Sequence, residues 1–418
     1  MEQIHFKKVV QIHFKKVVQI HFKKVVQMFA EDFAPLFPKV DKVDFFKSGY
    51  IYMKTIFISI ASYRDIYCSK TLESAYSNAE YPERVIVGLC IQNEENDTTC
   101  TLSEDTYKHN IRTINLKSHE AKGPTWARYL CATLMQGEDY FLQIDSHTLF
   151  EKNWDSKLIA MIEDIKQNTE SKQAVISHYP PNYDDIKDTS RDVHMVETLC
   201  GSYFNEDGVV SFLGAEKVDM SKYKYVQTPH IAAGMFFCEG SCVKKVPYDP
   251  YLPDLFVGEE ILHSARIWTS GYDIYTPTEN VIYHLYTRSD QPHIWDDKKT
   301  YNNKHALNKV KMLMTMAPDS GVEIPEHVLD NIDKYGLGKE RSLQDYFDYA
   351  GIDLKNKKVT KQFCPHKTDP PITKEDIDSD GIYFFGKKQS YLSIAVYIFL
   401  SCLVYFVFFM LAKRMRYI

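Results

Sequence analysis

The sequence predicts an α/β domain built on a mainly parallel sheet, and two observations carry this prediction. Short apolar runs rich in β-branched residues alternate with segments whose apolar residues recur at helical spacing. Such alternation is typical of a sheet whose two faces are covered by helices. Apolar residues make up 44% of the 418-residue chain, which is enough for a substantial core.

Four strands and two helices are predicted in the first half of the chain. The strands are residues 55–62, 84–92, 111–117 and 140–145, and the helices are residues 66–79 and 123–136. In sheets of this class, ligands bind beyond the carboxyl ends of the strands. The fourth strand leads directly into Asp145, Ser146 and His147, so these polar residues are expected at a binding edge.

Charge and cysteine content exclude several classes of protein. The net charge of −6 gives no basic surface for coating a nucleic acid, so no nucleic-acid partner is expected. The nine cysteines form no CxxC pair, which argues against a zinc ribbon and against a disulfide-dense scaffold. Most of the cysteines are therefore expected to be reduced.

The N-terminal region consists largely of a tandem repeat. The unit QIHFKKVV occurs at Gln3–Val10, Gln11–Val18 and Gln19–Val26. These copies are too short for a solenoid. Two interpretations stay open, namely a basic surface segment and a stretch without function. Lysine pairs interrupt each apolar run, which argues against a secretory signal. Residues 1–52 are interpreted as an extension, and the folded domain is expected to start at Met53.

The C-terminal region predicts a membrane anchor. Tyr391–Ala412 carries no charge along its whole length, and at roughly 1.5 Å per residue a helix of this segment crosses a bilayer core of about 30 Å. Basic residues flank the segment on both sides, so the positive-inside rule does not orient it. Residues 316–390 are interpreted as a polar helical annex and stalk, and residues 413–418 as a short basic tail.

Asp145 and His147 are candidate metal ligands. Residues i and i+2 of an extended segment point to the same side, so the carboxylate and the imidazole can face one point. This pair of donors suits a divalent cation such as Mn²⁺. A capping aspartate followed by a surface histidine would give the same tripeptide, and the tripeptide alone leaves both interpretations open.

A series of downstream motifs gives the tripeptide a context. These are a glycine stretch, a turn, an acidic block, an R-x-W and a late histidine, at Ala233–Phe236, Tyr248–Pro250, Phe256–Glu260, Arg266–Trp268 and His284–Arg288. In order and spacing they resemble the retaining glycosyltransferases of the GT-A fold that attach N-acetylhexosamine to protein hydroxyl groups. Polypeptide N-acetylgalactosaminyltransferases have W-G-G-E-N at the acidic block, where this chain has F-V-G-E-E.

A closer resemblance is to protist enzymes that transfer N-acetylglucosamine to hydroxyproline on a cytoplasmic ubiquitin-ligase adaptor. These enzymes share SIASYRD, QIDSH, SHYPP and the G-E-E form of the block. The resemblance extends over residues 55–288 and implies a GT-A domain at residues 53–315. It also implies a UDP-N-acetylhexosamine donor and an acceptor protein.

The resemblance implies a divalent cation, Mn²⁺ or Mg²⁺, held by Asp145, His147 and His284 against the diphosphate of the donor. The substrate-binding residues that it implies are Asp65 at the nucleoside, Arg128 and Arg288 at the phosphates, and Gly234 in the glycine stretch. An N-cap role for Asp65 and an exposed helical position for Arg128 are the alternatives.

Three carboxylates are candidate catalytic residues. The resemblance places Glu259 against the sugar hydroxyls or the attacking acceptor, with Glu260 and Asp254 in lesser roles. Adjacent residues of a helix point in different directions, so Glu259 and Glu260 are not expected to form a pair at one point. Capping of the following helix is the alternative for both, and no nucleophile is assigned.

The resemblance therefore implies a metal-dependent glycosyltransferase that moves N-acetylglucosamine from UDP-GlcNAc to a protein hydroxyl. The alternatives are an inactive membrane-tethered binding protein and a metal hydrolase of the nucleotide sugar. His178–Asp185 is either part of an acceptor groove or a surface turn, and Phe363–Lys367 is interpreted as an incidental Cys-His pair. The single C-terminal span, the unpaired cysteines and the resemblance favour a cytosolic catalytic domain over a lumenal one.

Overall fold

The computed structural model describes residues 53–288, 291–297 and 302–365, together with the backbone of residues 382–384 and 387–389. The predicted N-terminal extension and the predicted transmembrane helix lie outside the described residues. Among the helices that are described, none has both the length and the apolar character needed to cross a bilayer.

The strands are numbered in chain order. They are β1 (Ile56–Tyr63), β2 (Val85–Asn93), β3 (Ile111–Lys117), β4 (Tyr140–Asp145), β5 (Thr148–Phe150), β6 (Ala174–Ser177), β7 (Met195–Thr198), β8 (Ser202–Phe204), β9 (Val210–Phe212), β10 (Glu216–Asp219), β11 (Met235–Glu239), β12 (Asp273–Tyr275), β13 (Ile282–His284), β14 (Ile352–Asp353), β15 (Lys358–Val359), β16 (Ile382–Phe384) and β17 (Lys387–Gln389).

The α-helices are numbered in the same way. They are α1 (Cys68–Asn78), α2 (Pro124–Thr133), α3 (Trp154–Asn168), α4 (Gly240–Lys245), α5 (Glu259–Thr269), α6 (Ile294–Asp297), α7 (Lys304–Leu313), α8 (Ile332–Tyr335) and α9 (Leu343–Ala350). Short 3₁₀ turns fill several connections; the longest, Tyr183–Lys187, follows β6.

A seven-stranded sheet in the order β12-β6-β11-β4-β1-β2-β3 forms the centre of the domain. The four predicted strands are confirmed as β1 to β4, and they pair in parallel. β11 runs antiparallel between β4 and β6, so the sheet is mixed. The mainly parallel α/β architecture expected from the strand–helix alternation is therefore confirmed, with one reversed strand.

Both faces of the sheet are buried, as its continuous apolar strands require. On one face Ile56, Ile58 and Ile60 of β1 pack in a cluster with residues of α1 and α3. On the other face Phe57 packs in a cluster that includes residues of α4 and α5. The two helical layers hold β1 and β4 rigidly, so the residues at their carboxyl ends have fixed positions.

Helices α7 and α9 pack against α5. Leu307 and Val310 of α7 and Tyr346 of α9 share a hydrophobic cluster with Leu262 of α5. The Tyr346 hydroxyl donates to the Pro229 carbonyl oxygen over 3.1 Å. This part of the chain therefore supports the helix that begins with the acidic block.

The expectation that most cysteines are reduced is wrong for four of those that the structure describes. Cys68 is bonded to Cys100, and Cys200 is bonded to Cys364. Sequence separations of 32 and 164 residues explain why spacing gave no sign of these pairs. Cys364 is thus a structural disulfide cysteine, which agrees with the interpretation of Phe363–Lys367 as no metal site.

Candidate metal and nucleotide-sugar site

Asp145, His147 and His284 come together at the carboxyl end of β4. β5 follows the Asp145-Ser146-His147 tripeptide and pairs antiparallel with β13, which sets His284 opposite Thr148. One possible ligand atom from each of the three residues lies within 4.8 Å of the others. The sequence predicted these ligands from the tripeptide and from the family resemblance, and the strand pairing explains how they meet.

The three side chains fit a divalent cation such as Mn²⁺ by the chemistry of their donors, one carboxylate and two imidazoles. His284 Nε2 lies 3.0 Å from Asp145 Oδ2. Burial alone would raise the pKa of Asp145, but the hydrogen bond and charge of His284 and the charge of Arg128 hold it well below its usual value. Burial lowers the pKa of His147, which favours the neutral imidazole that a metal needs.

Asp65 lies behind His147, at the carboxyl end of β1. Its Oδ2 atom is 2.7 Å from His147 Nδ1 and accepts a 2.6 Å hydrogen bond from Ser146 Oγ. Arg288 Nη1 lies 3.2 Å from the same oxygen. The Asp65 carboxylate is therefore directed at residues around the metal cluster, and its side chain is fully buried.

Arg128 of α2 is buried between two carboxylates. Its Nη1 atom is 2.9 Å from both carboxylate oxygens of Glu259, and its Nη2 atom is 3.2 Å from Asp145 Oδ1. Thr125 Oγ1 donates a further 2.9 Å hydrogen bond to Glu259. The interpretation of Arg128 as an exposed helical arginine is wrong, because only 7% of the residue is exposed.

Glu260 points away from Glu259, as expected for neighbours on a helix. One of its oxygens accepts from the Ala233 backbone N–H over 2.8 Å, and the other accepts from the Tyr179 hydroxyl over 2.7 Å. Burial raises the pKa of Glu260 to about 7. Gly258 precedes the pair with a φ of +93°, a left-handed conformation that turns the chain into α5 and that glycine adopts readily.

A cavity of about 560 Å³ opens over these residues. This volume lies within the range of roughly 300–1,000 Å³ that is usual for ligand pockets. Predicted site residues that line it are Arg128, Asp145, His147, Gly234, Glu259, Glu260, His284 and Arg288. Asp254 is not among the lining residues; its Oδ2 accepts from the Asn302 backbone N–H over 3.2 Å. Asp65 is not a lining residue either.

Several aromatic residues line the same cavity and were not predicted. Phe256 and Tyr286 are each 51% exposed, and Trp295 is 44% exposed. Tyr286 follows His284 by two residues, so the alternation of an extended segment was a usable signal for it. Trp295 of α6 had no such signal. Tyr179, from the segment expected either to line a groove or to form a turn, does line the cavity.

Comparison with known proteins identifies the family. The profile described as Glycosyltransferase (GlcNAc) matches residues 55–109 and 102–356, which is well over half of the chain. The chain therefore belongs to this glycosyltransferase family. No curated protein matches the chain.

Solved structures to which the chain is similar include GalNAc-T7 with UDP, GalNAc and Mn²⁺. It is 13% identical, with 74% of this chain and 59% of that chain covered and a TM-score of 0.49. Staphylococcus aureus TarS 1–349 in complex with UDP-GlcNAc is 12% identical, with 66% and 69% covered and a TM-score of 0.39. The mannosyltransferase PcManGT from Pyrobaculum calidifontis, in complex with GDP-Man and Mn²⁺, is 14% identical, with 63% and 62% covered and a TM-score of 0.36. The chain thus spans less than two thirds of the GalNAc-T7 chain.

Proposed function

We propose that this protein is a retaining, metal-dependent glycosyltransferase that moves N-acetylglucosamine from UDP-GlcNAc to a hydroxyl group of an acceptor protein. The observation that carries the proposal is the cluster of Asp145, His147 and His284 at the wall of a cavity large enough for a nucleotide sugar. Family membership supports the reaction class.

A divalent cation, Mn²⁺ or Mg²⁺, bound by these three residues would supply positive charge to the diphosphate that leaves with uridine. Arg288 lines the same cavity and is held by Asp65, so it offers a second positive charge to the phosphates. Arg128 acts indirectly on the donor, by positioning Glu259 and Asp145, because its guanidinium is already paired with these two carboxylates.

The carboxylates of α5 divide their work in this proposal. Glu259 is fixed by Arg128 and Thr125, and its positioned carboxylate accepts hydrogen bonds from the sugar hydroxyls. Glu260 lines the cavity with a pKa near neutrality, so it can accept or donate a hydrogen bond at the acceptor hydroxyl. Asp254 supports the loop before α5 through Asn302. No protein nucleophile is assigned.

The exposed aromatic side chains at the cavity support a peptide acceptor. Phe256 and Trp295 meet edge to face with ring centroids 5.4 Å apart, and Tyr286 contributes a third exposed ring. Aromatic surfaces bind proline rings well, because these rings are rigid and already lie in an extended backbone. Hydroxyproline is therefore the favoured acceptor, with serine and threonine as the alternatives.

The two disulfides bear on the compartment of the catalytic domain. Paired cysteines persist in oxidising compartments and are rare in the cytosol. The bonds Cys68–Cys100 and Cys200–Cys364 remove one reason for a cytosolic domain and favour a lumenal one. We therefore propose a lumenal catalytic domain, and the C-terminal membrane anchor stays a prediction.

The compartment is tested by adding protease to intact microsomes that contain the protein. Protection of the catalytic domain, together with thiol labelling that reports Cys68 and Cys200 as blocked, supports the lumenal proposal. Digestion of the domain, together with free thiols at both positions, would contradict the lumenal proposal and support a cytosolic domain.

The reaction is tested with full-length protein, Mn²⁺ and a panel of UDP-GlcNAc, UDP-GalNAc and UDP-glucose. Transfer is measured onto peptides that contain hydroxyproline, serine or threonine, and free sugar is measured in parallel. We expect UDP-GlcNAc and an acceptor hydroxyl to be required together. Free sugar released without acceptor would indicate a hydrolase, and donor binding without turnover would indicate a binding protein.

A further inference from the structure

The Asp65 carboxylate is buried among protein groups at the end of β1. Its Oδ1 atom accepts from the Tyr67 backbone N–H over 2.9 Å. Its Oδ2 atom faces Ser146 Oγ, His147 Nδ1 and Arg288 Nη1 at 2.6, 2.7 and 3.2 Å. The side chain is 0% exposed, and Asp65 does not line the cavity. A nucleoside in the cavity therefore has no access to this carboxylate.

The contact with His147 decides which ring nitrogen faces the metal cluster. A carboxylate accepts a hydrogen bond, so the proton of the neutral imidazole lies on Nδ1. The lone pair is then on Nε2. A histidine that binds a metal through one nitrogen commonly donates its other N–H to a carboxylate, which fixes both the ring orientation and the tautomer.

We propose that Asp65 is a positioning residue that holds His147 with Nε2 toward the cation, and that it is not a nucleoside ligand. This inference rests on the proposed function, since it assumes that Asp145, His147 and His284 bind a metal. The same carboxylate also anchors Arg288, so one buried acid orders a metal ligand and a phosphate-facing cation together.

Asp65 has a fixed position because it lies two residues beyond the end of β1. Arg64 adopts a φ of +47°, and its guanidinium is held by Asp97 at 2.8 Å and by Asp297 at 2.8 Å. Cys68 in the next turn is bonded to Cys100. The segment that carries Asp65 is thus held on both sides, which is what a positioning residue needs.

The test measures Mn²⁺ binding to the full-length protein without nucleotide, by the electron paramagnetic resonance signal of free Mn²⁺. The variants are Asp65→Asn, His147→Ala and the double variant. Asp273→Asn is the matched control, because it makes the same change at a partly buried carboxylate of β12 that pairs with Arg341 and does not line the cavity. Uridine binding without metal is measured in each variant.

We expect Asp65→Asn to weaken Mn²⁺ binding by about 10–100-fold, the usual effect of losing a carboxylate behind a metal-bound histidine. Asp273→Asn should remain near wild type. Asp65→Asn should add little on top of His147→Ala, because Asp65 acts through that ring. Equal Mn²⁺ affinity in Asp65→Asn and wild type, or full additivity in the double variant, would overturn the proposal. Loss of uridine binding in Asp65→Asn would do so as well.

A second measurement needs no folded variant of Asp65. The ¹⁵N spectrum of histidine-labelled wild type, with His147→Ala as the assignment control, should show the His147 proton on Nδ1. A proton on Nε2 would overturn the proposal. Wild-type protein that binds no Mn²⁺ would contradict the proposed function, while the tautomer would still report on Asp65 separately.

Discussion

Arg128 and Glu259 face each other across the buried wall of the cavity, with Arg128 Nη1 2.9 Å from both carboxylate oxygens. The same guanidinium reaches Asp145, a metal-ligand candidate, through Nη2 at 3.2 Å. One arginine of α2 therefore connects the end of β4 to the start of α5. This contact fixes the position of the acidic block relative to the metal cluster.

Removing Arg128 should destabilise the fold. Arg128→Met leaves Glu259 buried without its partner, and we expect a loss of about 3–5 kcal/mol in the free energy of unfolding, as for other broken buried pairs. The double variant Arg128→Met with Glu259→Gln should recover part of this loss, because the unpaired charge is gone. Urea unfolding followed by circular dichroism measures both.

The matched control for this pair is exposed. Lys108 and Asp105 form an ion pair whose side chains are 43% and 92% exposed. Lys108→Met should leave stability close to that of the wild type, because solvent screens an exposed pair. An effect of Arg128→Met as small as that of Lys108→Met would contradict the buried coupling.

Glu260 should make stability fall as pH rises toward neutrality. Burial raises its pKa from 4.5 to about 7 in the folded protein, so the folded state keeps a proton that the unfolded state loses. The contribution is complete below pH 4.5 and is lost as pH passes 7, up to about 3 kcal/mol. Glu260→Gln should remove this pH dependence between pH 4.5 and 7. The measurement is the difference in unfolding free energy between wild type and variant, obtained by urea unfolding at each pH. A difference that does not change with pH would contradict the shifted pKa.

His230 should make the stability of the fold decrease as pH is lowered, which is opposite to the effect of Glu260. Burial lowers its pKa from 6.5 to about 3, and within the described residues neither ring nitrogen has a hydrogen-bond partner. Stability from this residue is present above pH 6.5 and is lost as pH falls toward 3, because only the unfolded state takes up the proton.

His230→Leu, which keeps an apolar contact with Phe212, should therefore reduce acid sensitivity between pH 6 and 4. His109, which is exposed, serves as the control: His109→Leu should leave the profile as it is in wild type. An unchanged acid profile in His230→Leu would contradict the lowered pKa of this ring in the folded protein.

The sequence predicted the elements whose residues carry local signals. β1 to β4 follow from short apolar runs, and Asp145 and His147 follow from the two-residue period of an extended segment. His284 came from the resemblance alone. Its place in the cluster depends on the pairing of β5 with β13, which joins residues far apart in the chain.

The remaining features depend on tertiary packing that no local pattern records. Arg128 was expected at the phosphates, which stays a prediction, and its place between Asp145 and Glu259 depends on how helix α2 packs. Asp65 was expected at the nucleoside, and its contact with His147 depends on where the end of β1 lies in the folded domain. The disulfides join segments whose proximity exists only in the folded domain.

The most direct test of the account is Mn²⁺-dependent transfer from UDP-GlcNAc to a hydroxyproline peptide by the variants Asp145→Ala, His147→Ala and His284→Ala, with His109→Ala as control. We expect each of the three to lose more than about 100-fold in rate, since loss of a residue behind a ligand already costs up to that much. His109→Ala and metal-replete wild type should be equal, and a chelator should abolish both. Transfer near the wild-type rate in Asp145→Ala or His284→Ala, or transfer that persists in chelator, would contradict the metal site.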